Sequence, residues 1–155
     1  MAISIVQAQS EEQWRQARRL IEQYAASLDL DLAFQNLQHE LAHLAGEYSP
    51  PAGAFLLAAD QERYLGCVGL RQFASGVGEI KRLYALPVAR GQHIGRQLAG
   101  AIVEIARQRG YARLLLDTLP SMKQAQSLYA SMGFKPTAAY RFNPVPGTVY
   151  LELTL

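Results

Sequence analysis

The chain has 155 residues, half of them hydrophobic and 18% charged, with 15 basic and 13 acidic side chains for a net charge of +2. A chain of this length makes about one domain and buries roughly two-thirds of its unfolded surface, which excludes disordered, collagen-like and low-complexity classes. The small net charge excludes a non-specific nucleic-acid binder, and no apolar run reaches the roughly 18 residues of a membrane span. The opening MAISIVQAQSEEQW has no basic n-region, and the single cysteine, Cys67, allows neither an internal disulfide nor a cysteine zinc cage. The expected setting is a reducing cytoplasm.

In chain order, Ile3–Ala8 reads as a short opening strand. Ser10 to Gln13 (SEEQ) forms a capping box, because the hydroxyl accepts from an orphan helix N–H while Gln13 reaches back. Trp14, Ala17, Ile21, Tyr24 and Leu28 then recur at spacings of three and four, one face of an amphipathic helix. Asp31–Ala45 reads as a second helix, ended by Gly46 and Pro50-Pro51. Two apolar runs, Ala54–Ala59 and Tyr64–Arg71, flank the polar stretch Asp60 to Arg63 and predict a hairpin. Glu79–Leu86 is a third strand, stopped by Pro87. A long helix runs from Ile94 through Leu98, Ala101, Ile102 and Ile105 to Gly110. Arg113–Leu119 reads as a buried strand, and Lys123–Met132 as a short helix stopped by Gly133. Tyr140–Phe142 and Thr148–Leu155 read as closing strands. The order β-α-α-β-β-β-α-β-α-β-β implies one α/β domain over 1–155, a mixed sheet with helices on both faces. The apolar end, Val149–Leu155, either pairs across a homodimer or is covered internally.

The most informative segment is Leu83 to Arg96, LYALPVARGQHIGR. A strand ends at a proline, a glycine-containing loop follows, and a long helix begins. Helix N-termini present unpaired N–H groups and a positive dipole end, which suit a phosphate or pyrophosphate. Gly91 and Gly95 allow close backbone approach, and Arg90 and Arg96 add charge. The Gly-Lys-Ser/Thr ending of a P-loop is missing. The same spacing also suits an ordinary strand-to-helix turn in which glycines only shape the loop.

These residues resemble the GCN5-related N-acetyltransferase (GNAT) superfamily. Its pyrophosphate signature, Gln/Arg-x-x-Gly-x-Gly/Ala, is matched by Arg90, Gly91, Gln92, His93, Ile94 and Gly95, with His93 where the central glycine stands. The preceding LYALP resembles the family's strand end, and Ser127 to Phe134 (SLYASMGF) resembles its Ala-x-x-Leu-Tyr-x-x-x-Gly-Phe. The resemblance implies acetyl-CoA as co-substrate and an amine acceptor, with no metal. It implies pantetheine on the backbone of Leu83 and Ala85, and pyrophosphate on the loop and helix start from Arg90 to Arg96. His93 is compatible with that role if its backbone is right-handed.

Direct acetyl transfer has three needs. An amine with a pKa of about 10 must lose a proton. The oxyanion needs a donor, for which a strand N–H suffices. The departing thiolate leaves more readily if protonated. Glu79 is the candidate base, eleven residues before Arg90, where histone-acetylating members of the family carry theirs; it also reads as an ordinary strand glutamate paired with Lys81. Tyr129 is the candidate acid, at the family's tyrosine near the CoA sulfur; otherwise it is a packed helix aromatic. Asp117 and Thr118 end the strand across the cleft, where they contact pantetheine or substrate or cap the next turn.

A competing motif is His39-Glu40-Leu-Ala-His43, a literal His-Glu-x-x-His on a predicted helix. The distal third ligand position falls on Ser49, a poor zinc ligand, and no later histidine is free, so a helix face is the expected reading. Other segments resemble a GNAT subgroup without a settled substrate: Gly46 to Gly53, Glu79 to Tyr84 (EIKRLY) and Leu116 to Met122 (LDTLPSM). In this family the first two helices wall the acceptor site, so Phe34, Tyr48 and Tyr140 are expected to line it, with Asn143 offering a hydrogen bond. Lys81 and Arg82 point to an acceptor carrying a carboxylate or phosphate. Three functions stay open: an N-acetyltransferase acting on a small molecule or peptide, an inactive acyl-CoA-binding sensor, and a zinc hydrolase. Cys67 lies in no matched motif and reads as a buried strand residue.

Overall fold

The computed structural model describes residues 2–28 and 36–155. A seven-stranded sheet runs through it in the order β1-β2-β3-β4-β5-β7-β6. Its strands are β1 (Ser4–Gln7), β2 (Ala54–Ala59), β3 (Tyr64–Ala74), β4 (Val77–Ala85), β5 (Arg113–Thr118), β6 (Lys135–Pro136) and β7 (Val149–Thr154). All pairings are antiparallel except that of β4 with β5. Among the described residues five α-helices join them: α1 (Glu11–Ser27), α2 (Leu37–Ala42), α3 (Leu44–Glu47), α4 (Ile94–Gln108) and α5 (Lys123–Ser131).

Strand side chains alternate between the two faces of the sheet, and both faces are covered. Ala54, Leu56 and Ala58 of β2 join Leu98, Ile102 and Ala106 of α4 on one side. Phe55 and Leu57 join Ala17, Leu20 and Ile21 of α1, with Leu41, Leu44 and Tyr48, on the other. Burial on both faces is why AFLLAA and RLLLDT read as continuous apolar runs rather than alternating ones.

Local chemistry sets the element ends where the sequence predicts. Ser10 Oγ accepts from Gln13 N at 3.1 Å while Gln13 Oε1 accepts from Ser10 N at 3.1 Å, closing the capping box on α1. Asp60 Oδ1 accepts from the N–H groups of Glu62 and Arg63 at 2.8 and 2.7 Å, which tightens the β2–β3 turn. Gly133, at a φ of +98°, ends α5, and Phe134 N donates back to Tyr129 O at 3.1 Å.

Two expectations are corrected. Tyr140–Phe142 is not a strand; the short pairing strand is Lys135–Pro136, and Tyr140 lies in the long connection to β7. Its aromatic, β-prone composition reflects packing, since the Tyr140 ring meets Phe73 and Tyr150 edge-on. The expected helix Asp31–Ala45 lies partly outside the described residues, and its described part is broken at His43, with a φ of −134°, into α2 and α3. At the C-terminus β7 is flanked by β5 and β6, so the closing strand is paired within the chain on both edges.

The α2 segment is tied to the sheet by charge. Arg82 of β4 donates to Glu40 through Nε at 2.9 Å and Nη2 at 3.0 Å, and Tyr48 OH donates to the same carboxylate at 2.9 Å. All three residues are buried. Burial alone raises a carboxyl pKa, but the hydrogen bond and charge of Arg82 overcome it and hold Glu40 below its ordinary value of 4.5. A depressed folded pKa stabilises the fold above the unfolded value and loses that contribution as pH falls through the folded value. Glu40→Gln is therefore expected to cost about 3 kcal/mol at neutral pH. In urea titrations followed from pH 7 downward, the gap between wild type and variant should narrow below about pH 4.5; a gap independent of pH would refute the ion pair.

Candidate active site

Residue by residue, β4 and its two edges build the site. Along β3, the pairing passes from Cys67–Tyr84 to Gly69–Lys81, so β4 holds one residue more than its partner. The surplus is absorbed at Arg82, whose φ is +64°. Such a bulge bends a strand and re-aims its side chains. On the other edge, β4 pairs with β5 only from Val77–Glu79 against Arg113–Leu115. Both strands continue, but past Glu79 they separate, and the wedge between them is the site.

The wedge holds an inner cavity of about 50 Å³, lined by Ile80 to Leu83 on one side and Leu116 to Leu119 on the other. Tyr24, Tyr129 and Asn143 close it. An outer groove of about 590 Å³ runs from Leu83 and Ala85 to the start of α4, with Lys123, Gln124 and Leu128 on the far bank. Tyr24, Leu28, Leu83, Met122 and Ala125 line both, so the two spaces adjoin.

The outer groove collects most of the residues expected to hold the cofactor. Leu83, Ala85, Arg90, Gly91, His93, Ile94, Gly95 and Arg96 all line it. Gln92 does not; its carbonyl accepts from Gln97 Nε2 at 3.3 Å. The first helical bond of α4 runs from Gln97 N to His93 O, leaving the N–H groups of Ile94, Gly95 and Arg96 without partners in the helix. No side chain caps that end. His93 is left-handed, with φ of 58° and ψ of 30°, not right-handed as its compatibility required. The backbone thus follows the conformation open to glycine, and the imidazole sits there at a steric cost.

The inner cavity holds the titratable groups. Tyr129 is buried and set edge-on to Phe134, 5.2 Å between centroids. Burial pushes its hydroxyl pKa well up, so it stays a donor. Tyr24, from α1, is pushed up to about 12, chiefly by burial. Asp117 accepts from Asn143 Nδ2 at 3.4 Å, and Asn143 Oδ1 in turn accepts from Val145 N at 3.0 Å. Lys81 is 6% exposed, and its Nζ has no hydrogen-bond partner among the described residues. Burial first, then the charge of Arg82, presses its pKa down to about 8.

Glu79, expected as the base, lines neither space. It is fully buried, and its two oxygens take four donors: Arg71 Nε at 3.3 Å, Tyr140 OH at 3.0 Å, and Arg141 Nε and Nη2 at 3.1 and 2.8 Å. A carboxylate offers about four lone-pair positions, so none is left for a substrate proton. Its cross-strand partner is Arg71, not the expected Lys81. Tyr140 belongs to this clamp and lines neither space. Tyr48 does not wall the acceptor site either, because its ring lies over Gly69, where a Cβ would come within 2.5 Å, and its hydroxyl serves Glu40. Phe34 lies outside the described residues. Arg82 is engaged with Glu40.

The zinc motif dissolves in the same network. Its glutamate, Glu40, is buried against Arg82. His39 and His43 stack at 4.4 Å beside the break between α2 and α3. Among the described residues no group of three potential ligands is placed to hold a metal. Arg71 and Arg141 carry no functional signal in the sequence; Tyr24 carries one only as a member of the α1 apolar face, and Met122 only as the end of the LDTLPSM run.

Comparison with known proteins agrees with this geometry. The model of the acetyltransferase (GNAT) family matches residues 11–134. An uncharacterized N-acetyltransferase of Schizosaccharomyces pombe is 39% identical over 140 residues, covering 89% of this chain and 86% of that protein. An acetyltransferase from Streptococcus agalactiae superposes with a TM-score of 0.80 at 22% identity, covering 99% of this chain and 98% of that one. The PaiA N-acetyltransferase of Thermoplasma acidophilum, solved in complex with coenzyme A, does so at 0.76 and 18% identity over the whole of both chains. The chain belongs to the GNAT acetyltransferase family, and its fold is the mixed α/β fold of that family.

The clamp on Glu79 has a measurable consequence. Glu79→Gln should lower stability by about 2–4 kcal/mol, because it removes the charge that two arginines share. Denaturant unfolding checks this, and an unchanged midpoint would return Glu79 to the list of reactive groups.

Proposed function

We propose that the protein transfers an acetyl group from acetyl-CoA to the amine of a small molecule or peptide. One observation carries the reading: a groove ending at a helix N-terminus without a side-chain cap adjoins a buried cavity lined by Tyr129 and Asp117. Arg90, Arg96 and the free N–H groups at the start of α4 suit a pyrophosphate. Backbone groups of Leu83 and Ala85, beyond the last β4–β5 pair, suit the pantetheine amides. Acetyl-CoA supplies an activated thioester.

The remaining work falls to side chains of the inner cavity. Among the described residues lining the two spaces, Asp117 is the one carboxylate. It takes over the role expected of Glu79 and accepts the amine's proton, directly or through water. Asn143 fixes its orientation. Tyr129 donates its hydroxyl toward the leaving sulfur as the C–S bond breaks and the new C–N bond forms. An inactive sensor would need the groove but neither Asp117 nor Tyr129 within it.

The reading is tested by thiol release from acetyl-CoA across a panel of amines; acetyl-CoA binding without release to any amine would favour the sensor. Tyr129→Phe should lower the rate at least tenfold with little change in acetyl-CoA affinity, and Asp117→Asn should do the same. Equal rates for either variant and wild type would remove that residue from the mechanism. Gly95→Ala separates binding from folding. A Cβ there meets only Leu128 Cδ2, at 3.8 Å, so the fold should gain up to about 1 kcal/mol from helix propensity. Acetyl-CoA affinity, measured by titration calorimetry, should fall because that Cβ enters the groove.

A further inference from the structure

Lys81 is a buried cation of the inner cavity that the mechanism above does not use. Its surroundings explain why nothing among the described residues neutralises it. Across β3 its register partner is Gly69, which has no side chain to offer. On the β5 side the pairing has already stopped at Glu79 and Leu115, so no strand lies directly against it. Glu79, two residues earlier, is saturated by Arg71, Arg141 and Tyr140. Glu40 is taken by Arg82 and Tyr48. Asp117 lines the same cavity but is bonded to Asn143 and makes no ion pair with Lys81 within 4.0 Å. The amine is pressed down to about 8 and is still mostly protonated at neutral pH, by about ten to one.

A buried ammonium with no counter-anion is unfavourable unless a ligand supplies one. The phosphates of the cofactor do not fit this need, because Lys81 lines the inner cavity and not the groove that reaches α4. The anion must enter with the second substrate. Arg82 is already bonded bidentately to Glu40, so among the described residues Lys81 is the cation left for a ligand in a space of about 50 Å³. A single ammonium in a small cavity matches a carboxylate better than a phosphate, which calls for several donors.

We propose that Lys81 anchors a carboxylate of the acceptor, so that the substrates are amines that also carry a carboxylate, as amino acids do. This rests on the acetyl-transfer reading. With the amine directed to Asp117 on β5 and the carboxylate to Lys81 on β4, the two strands grip opposite ends of one zwitterion.

The experiment compares thiol release from acetyl-CoA with matched pairs, free amino acids against their carboxamides. Wild type should favour the acid at least about tenfold in kcat/KM. In Lys81→Met that preference should fall to near one, through a rise in KM for the acid. Equal turnover of acid and amide by wild type, or activity on polyamines alone, overturns the anchor. So does a loss in Lys81→Met shared by both members of each pair through kcat, which would place Lys81 at the reacting atoms. A second measurement stands apart from turnover: calorimetric titration of N-acetyl amino acids into the protein loaded with CoA. Binding that disappears in Lys81→Met supports the anchor even if no amine is acetylated, an outcome that would refute the transfer reading alone. Absence of binding to wild type refutes the anchor. Thermal unfolding checks the variant itself: with an unpartnered charge removed, Lys81→Met should melt no lower than wild type, and a lower melting temperature would reveal a hidden partner.

Discussion

The parallel pairing of β4 with β5 stops after three residues on each strand, and everything else about the site depends on that. Had it continued, Ile80 to Leu83 and Leu116 to Leu119 would have closed on one another as ordinary sheet. Because it stops, backbone groups and side chains of two central strands face a space in the middle of the molecule. The bulge at Arg82 is the counterpart on the other edge of β4, since a strand that must turn away from β5 while staying paired with β3 needs an extra residue to bend. The helices on both faces hold this opening apart, with Tyr24 of α1 and Tyr129 of α5 at its rim.

The charges beneath the opening obey a simple rule. Buried ions persist where their lone pairs and protons are matched. Glu40 is matched by Arg82 and Tyr48, and Glu79 by Arg71, Arg141 and Tyr140, with Arg71 also within 3.6 Å of Glu47. These two carboxylates pin α2 and the 140–141 segment to the sheet. They are the fold's charges, and the cavity's charges are what they leave behind: Asp117 and Lys81. The glutamate at a family-like spacing from the signature has its oxygens taken by two arginines and a tyrosine, and among the described residues the carboxylate lining the cavity is an aspartate on the neighbouring strand.

Much of the fold was legible because its signals are local. The capping box at Ser10, the spacing of Trp14, Ala17 and Ile21, and the glycines at 110 and 133 act over a few residues, and the structure reproduces each. The groove was legible for the same reason: Leu83 to Arg96 is a short contiguous strand-loop-helix, and most of its residues line one groove. The acceptor side was not. Tyr48 and Tyr140 suit substrate contacts by residue type, and Glu79 suits a base by its spacing from Arg90. Their partners lie 8 to 62 positions away in the chain, and only folding brings them together.

The sequence alone therefore determined the family, the strand-loop-helix that suits a pyrophosphate, and Tyr129 as a residue of the inner site. All three are written in short runs whose chemistry needs no distant partner. Tertiary structure alone decided which charged groups are spent on the fold and which remain for a ligand. That choice is a matter of pairing across β3, β4 and α2, and Glu40 and Arg82, 42 positions apart, carry no local trace of it.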